Sequence, residues 1–257
     1  MIALLRDIYT TLVLFLRAFG AMNIFFLQLL LYTPVTLVKR FRLVVAQVHN
    51  AGALSIVIII VSGLFVGGVL GLQAYSNLER FNAEDTVGIF VAFALVKEIG
   101  PVISALLFAG RAGTALASEI GLMKATDQLA AMEMMAVNPV RRVVVPRFLG
   151  GVISMPILTA IFTTVGLLGG HLVAVELLGV DVGAFWQQMQ QTLEISDVNE
   201  GIIKSLVFGL VASLVAVWEG YNAIPTAEGV GRATTRTVVV TAIAVLILDF
   251  MITAAVL

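Results

Sequence analysis

Four ionisable residues lie inside otherwise apolar stretches: Lys97, Glu98, Lys204 and Asp249. An uncompensated charge at mid-bilayer costs ~2.5–3.5 kcal/mol on insertion scales, so each needs an opposite charge or water. Their types allow two chemistries: ion pairing that ties helices together, or a proton relay through the Glu98 and Asp249 carboxylates. Enzyme motifs are missing from the chain. It has no G-x-x-x-x-G-K-S/T phosphate loop, no G-x-S-x-G and no H-E-x-x-H, so it cannot hydrolyse ATP by that route or act as a serine or zinc protease of those types. There are no cysteines, and His49 and His171 are the only histidines, which leaves neither disulfides nor a thiolate or multi-histidine metal site. No catalytic residue, metal or cofactor is expected on this chain. Any uphill movement must draw energy from a partner or an ion gradient.

These charges are positioned by elements of a distinct kind. The chain is 60% hydrophobic and 12% charged with a mean hydropathy of +1.06, whereas a soluble domain carries about twice that charged fraction. An all-α integral membrane protein is expected. The net charge of −1 gives no field for nucleic acid. Arg6 is followed by Asp7 and no small-residue cleavage pattern appears, so no signal peptide is read. Five spans are expected, at 53–72, 86–117, 143–175, 201–223 and 237–257. Residues 22–38 are also apolar, but Asn23 and Gln28 interrupt the run, Pro34 breaks it, and Lys39, Arg40 and Arg42 close it. Residues 1–50 therefore read as an interfacial elbow of one or two helices, and 51–257 as a five-helix transmembrane domain.

Basic residues set the orientation. With the N-terminus inside, the inner segments 39–50, 124–147 and 224–236 hold nine Lys/Arg and the outer loops only Arg80. The C-terminus then lies outside. Glu98 falls about 12 residues and Asp249 about eight from the outer ends of their spans, and Lys204 opens the fourth span from the outer side. A Glu98, Lys204, Asp249 cluster tying three helices together is expected, as a packing clamp or as part of transport.

Other patterns bear on packing and partners. Ala109, Gly113 and Ala117 form a small-xxx-small stripe that admits a close helix neighbour, with Arg111 one residue off it and able to snorkel. Val66, Leu70, Leu78 and Phe81 recur near helical spacing, with Gln73 and Tyr75 between them. That stripe either packs on another span, the commoner case, or lines an apolar cavity opening outward. The segment from Lys124 to Arg147 holds a helix too short to cross: about 11 residues, ~16 Å long. Thr126 or Asp127 would cap its start and Asn138-Pro139 would stop it. Leu129, Met132 and Ala136 share a face with Met135 beside them, while Asp127 and Glu133 are polar. Such a Met-rich helix suits a protein groove or the headgroup layer, and the pattern leaves both open. No internal repeat is found, which weakens a secondary transporter built from duplicated halves.

Two stretches carry a resemblance. KEIGPVISALLFAGRAGTALASEIGLMKATDQLAAMEMMAVNPVRRVVVPRF, from Lys97 to Phe148, and EGYNAIPTAEGVGRATTRTVV, from Glu219 to Val239, resemble the signatures of the MlaE (YrbE) permease family. Together they cover over a quarter of the chain. The resemblance implies the membrane subunit of a phospholipid ABC transporter of Gram-negative bacteria that contributes to outer-membrane lipid asymmetry. It implies a homodimer in the inner membrane, a cytoplasmic ATPase of the MlaF type that binds ATP and Mg, a STAS-domain protein of the MlaB type on that ATPase, and a periplasmic MCE hexamer of the MlaD type. It also implies an interfacial N-terminal helix before five spans.

The short helix becomes a coupling helix, at about 126–138, with Asp127, Leu129, Met132, Glu133, Met134 and Met135 as candidate ATPase contacts. Lipid would sit in an outward-open cavity at the dimer axis, with Val66, Leu70, Gln73, Tyr75, Leu78, Phe81 and Lys97 as candidate contacts. Glu98, Lys204 and Asp249 match family positions. Two positions depart from the pattern: Lys97 stands where arginine is common, and Asn222 where near relatives carry aspartate. Lysine keeps the charge but loses the two-pronged fork, so a phosphate contact at Lys97 loses that geometry. The residues also admit two rival functions, a proton-coupled lipid carrier and a non-transporting scaffold for ATPase and MCE proteins.

Overall fold

The computed structural model describes residues 2–256, and every regular element among them is a helix. Helix α1 runs from Ile2 to Lys39 and α2 from Phe41 to Ala51, with Arg40 as the one non-helical residue between them. The expected break at Pro34 does not occur; α1 passes through it. Pro34 removes the N–H that would serve the Leu30 carbonyl, a loss that apolar helices tolerate through neighbouring elements and small local adjustments. The Thr33 and Thr36 hydroxyls donate to other carbonyls, those of Leu29 and Tyr32.

Helix α3 (Ile56–Leu78) is followed by a long second apolar segment in three pieces, α4 (Val87–Phe93), α5 (Gly100–Phe108) and α6 (Thr114–Ala125), joined by π-helical turns at Ala94–Ile99 and Ala109–Gly113. The short α7 (Gln128–Met134) leads to α8 (Val145–His171), and α9 (Val182–Thr192) leads to α10 (Ile195–Tyr221) and α11 (Ala227–Val256). Six described segments are long and apolar enough to cross a membrane: the five expected, with wider bounds, and Gly20–Lys39.

Several boundaries move for local reasons. The loop read at 176–200 contains α9, whose start is capped by Asp181 accepting from the Ala184 N–H at 2.8 Å. Helix α10 begins at Ile195 rather than 201 because Glu194 and Asp197 form a reciprocal capping box. Helix α11 begins at Ala227 rather than 237, with Thr226 Oγ1 accepting from the Gly229 N–H, so Arg232 and Arg236 ride on a helical extension.

The core has two parts. One, built around Leu95, Phe108, Met155, Phe162 and Phe208, joins α3, α5, α8 and α10. The other lies at the α7 end, where Phe25, Leu29, Val44, Leu129, Val144, Phe148 and Val217 bring α1, α2, α7, α8 and α10 together. Helices α3 and α8 meet along glycine: a Cβ on Gly63 or Gly71 would stand 2.9 Å from the carbonyl oxygen of Phe162 or Gly170. The small-residue stripe of the second segment also works in packing. Gly113 faces Thr237 of α11, and Gly220 of α10 lies against the Ala117 backbone. Arg111, expected to snorkel, donates to the Asn50 carbonyl at 2.7 Å, near the end of α2.

Helix α7 is shorter than the expected 11 residues, and neither proposed cap nor stop is the one used. Asp127 has left-handed backbone (φ 56°) with no side-chain cap, and the Thr126 hydroxyl donates back to Leu122. The helix ends in a Schellman turn, with the Ala136 N–H on the Glu133 carbonyl and the Val137 N–H on that of Met132. Asn138-Pro139 starts the next element instead: Asn138 Oδ1 accepts from the Arg141 N–H. Ala136 holds a left-handed φ of 57°, a conformation that costs a Cβ-bearing residue ~1 kcal/mol or more. Ala136→Gly is expected to steady this turn by ~0.5–1 kcal/mol, read as slower hydrogen exchange at Val137. Unchanged or faster exchange would show that Cβ strain does not limit the turn.

Candidate functional site

At the end of the bundle opposite α7, the apolar helices close around one ammonium group. Lys204 of α10 has no solvent-exposed side-chain surface. Its Nζ donates to Glu98 Oε1 at 2.9 Å, Thr253 Oγ1 at 2.8 Å and the Lys97 carbonyl at 3.0 Å. It also lies 3.3 Å from Glu200 Oε1 and 3.5 Å from Asp249 Oδ1. The Lys97 carbonyl is four residues before Pro101, which has no N–H to offer it. Thr253 in turn donates to Glu98 at 3.1 Å. Glu200 extends the network, with its other oxygen 3.1 Å from Lys97 Nζ, and Lys97 also pairs with Asp197 at 3.0 Å.

The three residues read from sequence therefore sit together, with unequal bonds. Glu98 is hydrogen-bonded to the ammonium, while Asp249 is at ion-contact distance and its buried Oδ1 accepts no hydrogen bond. Glu200, Asp197 and Thr253 were missed, although Glu200 and Thr253 each lie four residues from a named member, on the same helix face. Two lysines meet four carboxylates in this network.

The partly exposed side of Glu98 and Asp249 opens on a cavity of about 470 Å³. Phe65, Val66, Val69 and Leu70 of α3 form one wall, and Ile99, Val102 and Ile103 the other. Of the seven lipid contacts inferred from sequence, Val66 and Leu70 are on this lining. Tyr75 and Leu78 pack against the same core as Val66 and Leu70 but lie off this lining, Gln73 is exposed, and Phe81 is 77% exposed beyond the end of α3. Lys97 turns away toward Asp197 and Glu200 and so does not line the cavity. Phe65 and Val69 were missed, although their four-residue spacing beside Val66 and Leu70 marks the same face.

At the other end, α7 rests on an aromatic platform. Leu129 is buried and Met132 packs beside it over a cluster in which the Phe25 ring lies 5.4 Å from that of Trp218 and 5.5 Å from that of Tyr221. Lys124 Nζ donates to the Tyr221 carbonyl at 2.8 Å and ties α6 to the end of α10. Asp127 and Glu133 are exposed, and Met134 and Met135 are 88% and 68% exposed. The helix thus shows two methionines and two carboxylates outward, while Leu129 and Met132 face its own bundle.

Comparison with known proteins agrees with this architecture. The family model described as Permease MlaE matches residues 44–255. The chain is 50% identical to the intermembrane phospholipid transport system permease protein MlaE of Haemophilus influenzae, over 93% of this chain and 92% of that protein. It is 37% identical to a probable ABC transporter permease protein of Rickettsia typhi over 82% of each chain. A probable ABC transporter permease protein of Synechocystis is 33% identical over 80% of this chain and 78% of its own length. This multi-pass membrane protein belongs to the MlaE permease family.

Proposed function

We propose that the chain is the transmembrane permease subunit of an ATP-driven phospholipid transporter, moving lipid between the bacterial inner membrane and a periplasmic MCE carrier. The observation that carries this reading is the 50% identity, over 93% of the chain, to a permease named for intermembrane phospholipid transport. The cavity supports it: about 470 Å³ with mainly apolar walls suits acyl chains, each buried CH₂ contributing ~0.8 kcal/mol. In this reading residues 1–50 lie in the membrane interface with the N-terminus inside, and the five later spans form a homodimer. ATP and Mg bind to a partner ATPase of the MlaF type carrying an MlaB-type STAS protein, and an MlaD-type hexamer stands on the periplasmic face.

Helix α7 is the piece that meets the ATPase. Nucleotide binding draws the two α7 helices of the dimer together, and because α7 is seated on α1 and α10 through Leu129 and Met132, the movement reaches the bundle and narrows the cavity. The exposed Met134 and Met135 form the contact, with Asp127 and Glu133 at its rim. Met134→Ala with Met135→Ala is expected to weaken ATPase co-purification about tenfold or more, while Met132→Ala acts on the permease's own stability. Undiminished co-purification of the double variant would remove α7 as the docking piece.

The test of the function is reconstitution with the ATPase and MCE partners in liposomes containing labelled phospholipid. Transfer to the carrier that requires ATP is expected. Transfer that stops on collapsing a proton gradient with ATP intact would favour a proton-coupled carrier, and an absence of bound or moved lipid would leave only a scaffold.

A further inference from the structure

Three arginines gather where α1, α2 and α8 meet at the α7 end of the bundle. Arg40 is the corner between α1 and α2, with backbone angles that leave the helix (φ −137°, ψ 31°). Arg141 and Arg142 lie on the π-helical turn Val140–Val144 that opens into α8. Burial first, and then the charges of Arg142 and Arg141, hold the Arg40 guanidinium below its ordinary pKa, so the three sit within each other's fields. Nearby, Arg147 pairs with Glu119 and Lys124 donates to the Tyr221 carbonyl, while the exposed Lys39 and Arg42, which flank Arg40, add further positive charge. No carboxylate among the described residues pairs with Arg40, Arg141 or Arg142. Arg40 is half-buried, and its Nη1 is closed off from solvent with no hydrogen-bond acceptor. A closed-off guanidinium nitrogen without an acceptor is costly, and three mutually repelling cations held together are stabilised by an anion beside them.

We infer that Arg40, Arg141 and Arg142 form a binding site for the phosphate of an anionic lipid headgroup, seated at the α1–α2 corner and separate from the transport cavity. Phosphate fits because it carries negative charge and several acceptor oxygens, and guanidinium matches it with paired donors. A lipid, rather than free phosphate, fits because open apolar side chains lie close to Arg40, with Val38 84% and Phe41 61% exposed, and the intervening Lys39 adds charge at the same edge. Acyl chains would lie along these side chains while the headgroup meets the guanidinium groups, as in basic pockets at helix ends that hold anionic lipids. Bound lipid offsets the mutual repulsion of the three guanidinium groups and fixes the corner between α1 and the rest of the bundle.

The test uses the full chain in nanodiscs of phosphatidylcholine, with or without phosphatidylglycerol, followed by hydrogen exchange at residues 41–44 and 140–144. Phosphatidylglycerol is expected to slow exchange in both segments, and inorganic phosphate at equal phosphorus is not. Arg142 is exposed, so Arg142→Gln should fold, and it is expected to need about fivefold more phosphatidylglycerol for the same protection. Arg40→Gln is expected to lose most of the protection and Arg40→Lys only part of it. The inference is overturned if phosphatidylglycerol has no effect on the unmodified chain, or if Arg142→Gln responds like it. Equal protection by inorganic phosphate would make the site one for a free anion, and protection only on adding the ATPase would make it a protein contact; either result also overturns the lipid assignment. None of these readouts requires transport, so their failure leaves the transport reading untouched, and failure of transport leaves them standing.

Discussion

Replacing Lys204 by methionine is expected to destabilise the chain by ~3–5 kcal/mol, the usual cost of removing one partner from a buried ion pair. Methionine fills much the same volume, so the loss is one of charge and hydrogen bonds. The ammonium serves Glu98, Thr253 and the Lys97 carbonyl directly and offsets Glu200 and Asp249. Without it, three carboxylates face one another with Lys97 as the sole remaining cation of the network. The melting midpoint should fall by on the order of 10 °C, followed by fluorescence-detected size exclusion after heating. Unequal bonds around the ammonium give the prediction a second edge. Asp249→Asn should cost far less than Lys204→Met, because its contact is 3.5 Å long. Exchanging the charges, Lys204→Asp with Asp249→Lys, should restore little, because Glu98 rather than Asp249 is the bonded partner. Adding Glu98→Gln to Lys204→Met should recover part of the loss, since neighbours in one network are not additive. A Lys204→Met protein that melts with the unmodified one would show that the cluster contributes nothing to the fold.

How far the cluster and cavity were legible follows from backbone geometry. Charges in apolar runs announce themselves, and Glu98, Lys204 and Asp249 needed no more than the cost of leaving them unpaired. The direction of Lys97 was not legible. It lies on the π-helical turn Ala94–Ile99, and an inserted residue there shifts the phase of a helical wheel, so a period of 3.6 residues assigns faces wrongly across it. The far end of the cavity stripe leaves the lining for a related reason. Val66 and Leu70 stay in phase, but α3 ends at Leu78 and the tighter 3-10 turn Glu79–Phe81 leads to left-handed Asn82, which carries Phe81 off the face. For α7 the polar and apolar residues were legible but not which methionines turn inward, because that depends on the platform of Phe25, Trp218 and Tyr221 supplied by distant helices. The end of α7 was misread because proline signals a helix stop and equally a helix start. Here Pro139 opens the next helix, and an alanine in a conformation that favours glycine does the stopping.

Gly67→Ala is expected to be the most damaging single-methyl change in the chain. A Cβ at Gly67 would overlap the carbonyl oxygen, the carbonyl carbon and the Cα of Gly166. All three are backbone atoms, so no side chain can swing aside, and α3 must move away from α8. In lipid these helices are held by close van der Waals packing rather than by exclusion of water, and separation removes that packing along the whole seam of Gly63, Gly67 and Gly71. The cost should reach or exceed the upper end of the ~1–3 kcal/mol typical of overpacked cores. The neighbouring position provides the control. A Cβ on Gly68 would meet only Val173 Cγ2 at 3.2 Å and the Gly169 oxygen at 3.7 Å, and a valine methyl can give by a few tenths of an ångström. Gly68→Ala should therefore melt within a few degrees of the unmodified protein, while Gly67→Ala falls by on the order of 10 °C. Equal melting of the two would mean that the α3–α8 seam is loose enough to absorb a methyl group. The seam also bears on function, because α3 carries Phe65, Val66, Val69 and Leu70 on the cavity wall. A helix pushed off α8 carries that wall with it, so lipid occupancy in Gly67→Ala should change even in the fraction that remains folded, whereas Gly68→Ala should leave it alone.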